Sequence, residues 1–408
     1  MNGRDARKGR DMESEEQKPS ARFKQTALLL SCYSALLGTG ITLWISRSHG
    51  SPGLLAWNPV YRTYFLVPAL FGSFPLVLAL FIALVRGLFF RGTSEGRACR
   101  FFRALQFALA CASSGLLMLA CGMLIAGTNR VGGYEQPHLL TTPALPHPLD
   151  KIALSSDPHF GSPKRKAEAT ERILDSIGKG GYDAFVCLGD MAETGFPGSY
   201  LEEAATAFAQ GLGGTPAATL MGNHDAIVGG AGRYKSIFSR DRYWRADSGK
   251  VHLIALDLSW GTEEFDGEQK RWLEETLRSI PREELVIVLT HCFFYSSGYV
   301  DAHTGKNWFD HADMIETVSP ILEEAGVDLV ASGHNHYMEF LEHGKTAYAV
   351  IGAMGGKPDP EPEYASPQSR WFRASEFGFL DIARGDGFYD LTFRDVSGNA
   401  LWSTRRGY

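Results

Sequence analysis

The sequence predicts an α/β layered domain behind three membrane-crossing helices. Two observations carry that reading. From Lys151 onward, short apolar runs alternate with amphipathic stretches, the pattern of strands interleaved with helices. Before that, residues 26–46, 64–85 and 104–126 contain no Asp, Glu, Lys or Arg. Each of these runs is long enough to cross a hydrocarbon core of ~30 Å at ~1.5 Å per residue.

The N-terminal third is read first. Residues 1–25 are polar and mixed in charge, and disorder is expected there. A cleaved signal peptide does not fit the first apolar run, which follows this long polar stretch and precedes two more such runs. Basic residues set the orientation. Arg4, Arg7, Lys8, Arg10, Lys18, Arg22 and Lys24 precede the first run, and Arg86, Arg91, Arg97, Arg100 and Arg103 lie between the second and third. The remaining flanks hold only Arg47, Arg62 and Arg130. A cytoplasmic N-terminus and an extracytoplasmic C-terminal region are expected. Residues 128–149, with Gly132, Gly133, Pro137, Pro143, Pro146 and Pro148, read as a linker to a domain over 150–408.

Within that domain, strands are expected at Ile152–Leu154, Ala184–Leu188, Ala217–Met221, Val251–Leu258, Leu285–Leu289 and Asp328–Ala331, with further strands near 346–352, 378–382 and 388–394. Helices are expected over Ala167–Ile177, Leu201–Phe208, Gly267–Leu277 and Ile315–Glu324. Of the six cysteines only Cys187 and Cys292 fall in this domain. Both sit on or beside apolar runs and read as buried thiols, with proximity of the two left open.

A formal net charge of -6 with 21% charged residues gives no basic face for nucleic acid, and no nucleic-acid partner is expected. The chemistry lies instead at the predicted strand ends. Five clusters follow apolar runs in order: Asp157-Pro158-His159, Gly189-Asp190, Gly222-Asn223-His224-Asp225, Thr290-His291 and Gly333-His334-Asn335-His336. Singly each reads as a turn or a satisfied polar group; their shared placement argues for one site, because loops at the C-terminal ends of strands are where α/β sheets bind ligands. Imidazole with carboxylate suits two divalent or mixed-valence ions such as Mn, Fe, Zn or Ni. Two divalent ions, two aspartates, neutral histidines and a bridging hydroxide leave a net charge of about plus one, which attracts a phosphate ester anion.

These clusters resemble the calcineurin-like metallophosphoesterase family, whose pattern is Asp-x-His, Gly-Asp, Gly-Asn-His-(Asp/Glu), a strand-end His and Gly-His-x-His. The likeness extends over about residues 150–395, and Val251–Asp257, Gly267–Leu273 and Leu285–His291 resemble the purple acid phosphatase-like branch. The resemblance implies a four-layer αββα sandwich. It implies that Asp157, His159 and His336 bind one metal, that Asn223, His291 and His334 bind the other, and that Asp190 bridges them. His224 falls where the family keeps a proton donor or phosphate contact, with Asp225 expected to orient it. Glu193 stands where the acid phosphatases carry a metal-binding Tyr, so a tyrosinate-bound purple centre is not expected.

The function these readings imply is a membrane-anchored phosphohydrolase that cleaves phosphate esters by in-line attack of a metal-bridging hydroxide. The expected partners are a phosphorylated substrate, lipid-linked substrates and pyrophosphates included, and the bilayer itself. A membrane sensor whose domain has lost catalysis is the alternative, and the complete ligand set weighs against it. A transporter is disfavoured by spans without intramembrane charge. The aromatic stretch Phe293–His311, with Tyr295, Tyr299, His303 and Trp308, reads either as a cap beside the metals or as a loop with its own apolar cluster. Tyr337, Glu339 and Glu193 read either as support for the ligands or as ordinary strand and turn residues.

Overall fold

A computed structural model of the chain describes residues 148–408, except 196–198, 228–229, 239–240, 263–264 and 302–304, together with 133–139 and scattered helical residues between 77 and 118. The chain divides into two compact units, Met1–Ala126 and Gly127–Tyr408. The apolar run 26–46 lies outside the described residues, and so does much of 64–85 and 104–126. Among the described residues no helix is long and apolar enough to cross a membrane.

The second unit contains two mixed sheets. The six-stranded sheet comprises β1 (Lys151–Ser155), β2 (Ala184–Cys187), β3 (Ala217–Thr219), β13 (Gly378–Arg384), β14 (Phe388–Asp395) and β15 (Ala400–Gly407), in the order β15-β14-β13-β1-β2-β3. The seven-stranded sheet comprises β4 (Trp244–Ser248), β5 (Val251–Ala255), β6 (Leu285–Leu289), β9 (Leu329–Ser332), β10 (Met338–His343), β11 (Thr346–Ile351) and β12 (Ser369–Arg373), in the order β12-β10-β11-β9-β6-β5-β4. A small ribbon pairs β7 (Tyr299–Val300) with β8 (Asn307–Trp308).

Side-chain alternation sets the layers. Ile152, Leu154 and Val186 of the first sheet meet Leu253, Ile287 and Leu329 of the second in one central cluster. The opposite face of the first sheet, with Ala153, Phe185 and Cys187, packs under α1 (Ala167–Lys179) and α2 (Tyr200–Gly211) through Ile173, Leu174, Ile177, Leu201 and Phe208. Tyr234 and Ile237 of α4 (Gly230–Ile237) close that layer, following the single turn α3 (Asn223–Ala226). The outer face of the second sheet, with Ile254, Val286 and Val330, lies under α5 (Gly267–Arg278), α6 (Ala312–Thr317) and α7 (Ser319–Ala325). Helix, sheet, sheet and helix thus stack as the expected αββα sandwich. Cys187 and Cys292 are both free and buried, and they belong to opposite outer layers, so they do not pair.

Local sequence explains the helix ends. Asp266 caps α5 by accepting the backbone N–H groups of Glu268 and Gln269. The helix expected over Ile315–Glu324 is divided at Val318, because Pro320 opens α7 and lacks the N–H that would continue α6. Gly326 ends α7 at φ 77°, a left-handed cap.

The topology gathers the motifs. β1, β2 and β3 run parallel in one sheet, and β5, β6, β9 and β11 run parallel in the other. Their C-terminal ends deliver Asp157, Asp190, Asn223, His291 and His334 to one edge of the sandwich.

Candidate metal centre

The loops that carry the site continue the β1–β2 ladder beyond the strands. Asp157 N donates to Gly189 O (3.1 Å), His159 N to Asp190 O (3.1 Å), Phe160 N to Met191 O (2.7 Å) and Glu193 N to Phe160 O (2.9 Å). Aiming these side chains inward requires unusual backbone. Among the described residues, Asp157 (φ 64°), His159 (47°), Asp190 (50°) and His334 (69°) take left-handed conformations. Such conformations cost roughly 1–3 kcal/mol each and persist where surrounding structure enforces them. Close approach explains two of the motif glycines: a Cβ on Gly222 would collide with the Asp190 carboxylate, and one on Gly333 with Ser156 Oγ.

Two half-sites result. In the first, Asp157 Oδ1 lies 3.6 Å from His159 Nε2 and 3.3 Å from His336 Nε2, and the two ring nitrogens face each other at 3.1 Å. In the second, Asn223 Oδ1 lies 2.9 Å from both His291 Nε2 and His334 Nδ1, which are 3.2 Å apart. Asp190 Oδ2 stands between them, 3.6 Å from His159 Nε2 and 3.4 Å from His291 Nε2. All seven residues expected as ligands therefore meet.

Hydrogen bonding on the far side of three of the rings fixes their tautomer. His159 Nδ1 donates to Glu193 Oε2 (3.0 Å), His291 Nδ1 to Leu188 O (2.8 Å) and His336 Nδ1 to Lys357 O (2.6 Å). In the neutral rings the Nε2 lone pairs then point inward, toward one another and toward carboxylate oxygens. Asp157 Oδ1 is buried and takes no hydrogen bond among the described residues. Converging lone pairs around an orphaned carboxylate oxygen are repulsive unless a cation stands among them. Acidic and imidazole donors group as Asp157, His159 and His336, and as Asp190, His291 and His334. The donor set fits two metal ions: Asp157, His159 and His336 would hold one, Asn223, His291 and His334 the other, with Asp190 shared.

The charges of the chain itself agree with a cation trap. Burial alone would raise the Asp157 carboxyl, but the His159 and His336 rings outweigh it and hold it well below the usual carboxylate range. Burial would likewise raise Asp190, and His291 and His224 keep it depressed. Burial would lower the His291 imidazolium, yet Asp190 beside it raises it to about 9. Protons occupy the place of metal charge there, as expected where ligands must deprotonate on binding.

His224 lies at the mouth. Its Nδ1 donates to Glu193 O (2.7 Å), its backbone N donates to Asp190 Oδ1 (2.8 Å), and its ring meets His159 edge-on at 4.7 Å. Asp225 does not orient that ring, contrary to expectation. Its carboxylate turns inward and accepts Ala192 N (2.9 Å) and Gly222 N (3.0 Å), tying the β2 loop to the β3 loop. Burial and the neighbouring Asp190 raise Asp225 to about 7. The ring is instead held by the Glu193 carbonyl, so Glu193 orients His159 with its side chain and His224 with its backbone.

Other residues were open in the sequence. Tyr337 and Glu339 are buried and belong to a polar cluster with Ser296, Ser297 and Asn335, including Ser297 Oγ to Glu339 Oε1 (2.6 Å) and Asn335 Nδ2 to Tyr337 Oη (2.6 Å). The 293–311 stretch reaches both halves of the site: Trp308 packs on His334 at 4.8 Å, and Tyr299 Oη donates to Asp359 Oδ1 (3.1 Å). His311 opens α6 with its ring against Phe293 (6.1 Å), while His303 lies outside the described residues. Sequence reasoning missed Asp359, whose Oδ2 accepts His336 N (2.7 Å), and Trp260, at 6.1 Å from His334. The signal for Asp359 was its place between Pro358 and Pro360, just after a strand-end glycine run.

Comparison with known proteins agrees with this geometry. Residues 150–338 match the family model of calcineurin-like phosphoesterases. Purple acid phosphatase 18 of Arabidopsis thaliana is 27% identical over 176 residues, which is 40% of this chain and 36% of that protein. Probable purple acid phosphatase 20 of the same plant is 25% identical over 264 residues, covering 58% of this chain and 59% of that protein. A purple acid phosphatase isolated from yellow lupin (Lupinus luteus) seeds shares the fold with a TM-score of 0.53 at 15% identity, over 67% of this chain and 55% of that one. The chain thus spans about a third to three fifths of the length of these relatives. The mixed sheets, the converging donors and the family match agree: this chain carries a calcineurin-like metallophosphoesterase domain with purple acid phosphatase relatives.

Proposed function

We propose that the chain is a dinuclear-metal-dependent phosphohydrolase that cleaves phosphate esters, anchored to a membrane by its N-terminal third with the catalytic domain on the extracytoplasmic side. The observation that carries the catalytic part is the convergence of His159, His291 and His336 Nε2 on Asp157 and Asp190 with their lone pairs inward. Support for the membrane part is the three uncharged runs and their asymmetric basic flanks. The anchor puts lipid-linked phosphates and pyrophosphates within reach beside soluble esters, and fold alone does not choose among them.

Two bound metals would polarise the phosphoryl oxygens and lower the pKa of coordinated water. The chain's own residues supply the rest. Glu193 and the Leu188 and Lys357 carbonyls hold three imidazoles in the ligating tautomer. With Nδ1 committed to the Glu193 carbonyl, His224 has Nε2 left to carry a proton to a leaving alkoxide.

The test is hydrolysis of p-nitrophenyl phosphate by the full chain loaded with Mn, Fe, Ni or Zn, with metal content measured in parallel. Asp190→Asn should lose metal and activity together. His224→Ala should keep its metal and lose about 10²–10⁴-fold in rate. No turnover with any of these metals, or full metal loading in Asp190→Asn, would overturn the proposal.

A further inference from the structure

We infer that the β7–β8 ribbon and the loop after β5 build an aromatic subsite beside the second half of the metal centre, and that it receives a planar aromatic leaving group. The inference deepens the phosphohydrolase reading and rests on it.

His334 turns Nδ1 toward Asn223 and His291. Around the rest of its ring stand Trp308 at 4.8 Å (36° between planes), Phe293 at 5.9 Å (35°) and Trp260 at 6.1 Å (73°). Phe293 is buried at 2% exposure, whereas Trp260 and Trp308 are partly exposed. The other half-site is different in kind. His159 and His336 are bordered by the Glu193 carboxylate, the Lys357 carbonyl and Asp359. Among the described residues the indole and phenyl rings gather on the His334 side, and the opposite side presents mostly hydrogen-bonding groups, Tyr299 Oη on Asp359 included.

The ribbon that presents Trp308 is too small to be stable alone. It is fastened to the rest of the domain at several points. Gly298 and Tyr364 exchange both backbone hydrogen bonds at 2.9 Å, and a Cβ on Gly298 would collide with the Trp308 carbonyl. Asp310 Oδ1 accepts Ser296 N (3.0 Å) and Ser366 Oγ (2.9 Å), and its Oδ2 accepts Tyr364 Oη (2.8 Å). The buried Glu339 carboxylate accepts Ser297 N (2.9 Å) and Ser297 Oγ (2.6 Å). Covering His334 would need only an apolar side chain such as Phe293. Fixing an indole at the rim in this way is preorganisation of a surface for a ligand. Aromatic pairs favour the tilted and offset geometries this rim offers, with centroids ~4.5–7 Å apart.

Binding of non-hydrolysable phosphonates to the metal-loaded full chain, by calorimetry, tests this without turnover. Phenylphosphonate should bind about fivefold more tightly than hexylphosphonate. Trp308→Leu should abolish that preference with metal content and inorganic phosphate affinity unchanged, and Trp308→Phe should retain most of it. Equal affinity for the two phosphonates in the wild type would mean that the wall is merely apolar and would overturn the inference. So would a preference that survives Trp308→Leu, or loss of metal and inorganic phosphate in that variant, which would make the indole a support for His334 alone. A wild type that prefers phenylphosphonate yet never hydrolyses phenyl phosphate would instead refute the phosphohydrolase reading.

Discussion

Replacing Asp225 by Asn separates two roles for a residue beside the candidate proton donor. In the structure its carboxylate accepts Ala192 N at 2.9 Å and Gly222 N at 3.0 Å, with the side chain fully buried. Asn keeps the shape but turns one acceptor into a donor. One buried N–H then loses its partner and faces another N–H, a cost of about 1–3 kcal/mol. For a domain of this size that corresponds to a fall in melting temperature of roughly 2–10 °C. Ala192 and Gly222 flank Asp190 and Asn223, so metal affinity should fall as well. Thermal unfolding of the metal-stripped chain, followed by metal titration, measures both effects. An Asn variant with unchanged melting and metal uptake, but with a shifted limb in its pH–rate profile, would refute this account and return Asp225 to the role of orienting His224.

Three further predictions rest on the same structure. Stripped of metal, the domain should lose stability as pH rises from about 6.5 to 9. The His291 imidazolium is raised to about 9, so its contribution is fully present below the unfolded value of ~6.5 and is lost through that window, at up to about 3 kcal/mol. Asp225, raised to about 7, acts in the same direction between ~3.9 and 7; a melting temperature that stays flat from pH 6 to 9 would contradict both, and metal addition near pH 7 should release protons. Arg233 and Glu202 form a buried pair at 2.7 Å, at 2% and 3% side-chain exposure. Arg233→Met should cost about 3–5 kcal/mol in urea unfolding, much of it recovered by the double change with Glu202→Leu, and a single-variant effect under about 1 kcal/mol would sink the idea.

Much of the domain was legible because its central strands are unbroken apolar runs. Leu285–Leu289 appears with the bounds its sequence suggests. The strands that escaped carry charge for local reasons. β10 contains Glu339, a buried carboxylate that interrupts the apolar pattern and is met by Ser297 from a distant loop. β15 lies at a sheet edge, with Arg405 paired to Asp390 and Arg406 to Glu342 across the strands. β4 alternates Arg245 and Asp247 with the buried Trp244, Ala246 and Ser248, which is the half-polar pattern of an edge. The seven residues that converge at the site were legible as short motifs at strand ends. The direction of the Asp225 carboxylate was not, because its partner Ala192 is 33 residues away. Asp359, 23 residues beyond His336, was hidden for the same reason.

The site lies on the seam between the two sheets. Asp157, Asp190 and Asn223 come from the six-stranded sheet and His291, His334 and His336 from the seven-stranded one. A metal pair bound there would act as a clasp, joining His159 to His336 across 177 residues of chain. A permanent cross-link over that span removes on the order of 5 kcal/mol of chain entropy from the unfolded state. The strained loops at Asp157, His159, Asp190 and His334 would be drawn tight by the same bond. Chelation would then do more than silence chemistry. It would release the two halves of the sandwich at this edge, so the clasp would couple the metal supply to the mechanical integrity of the fold.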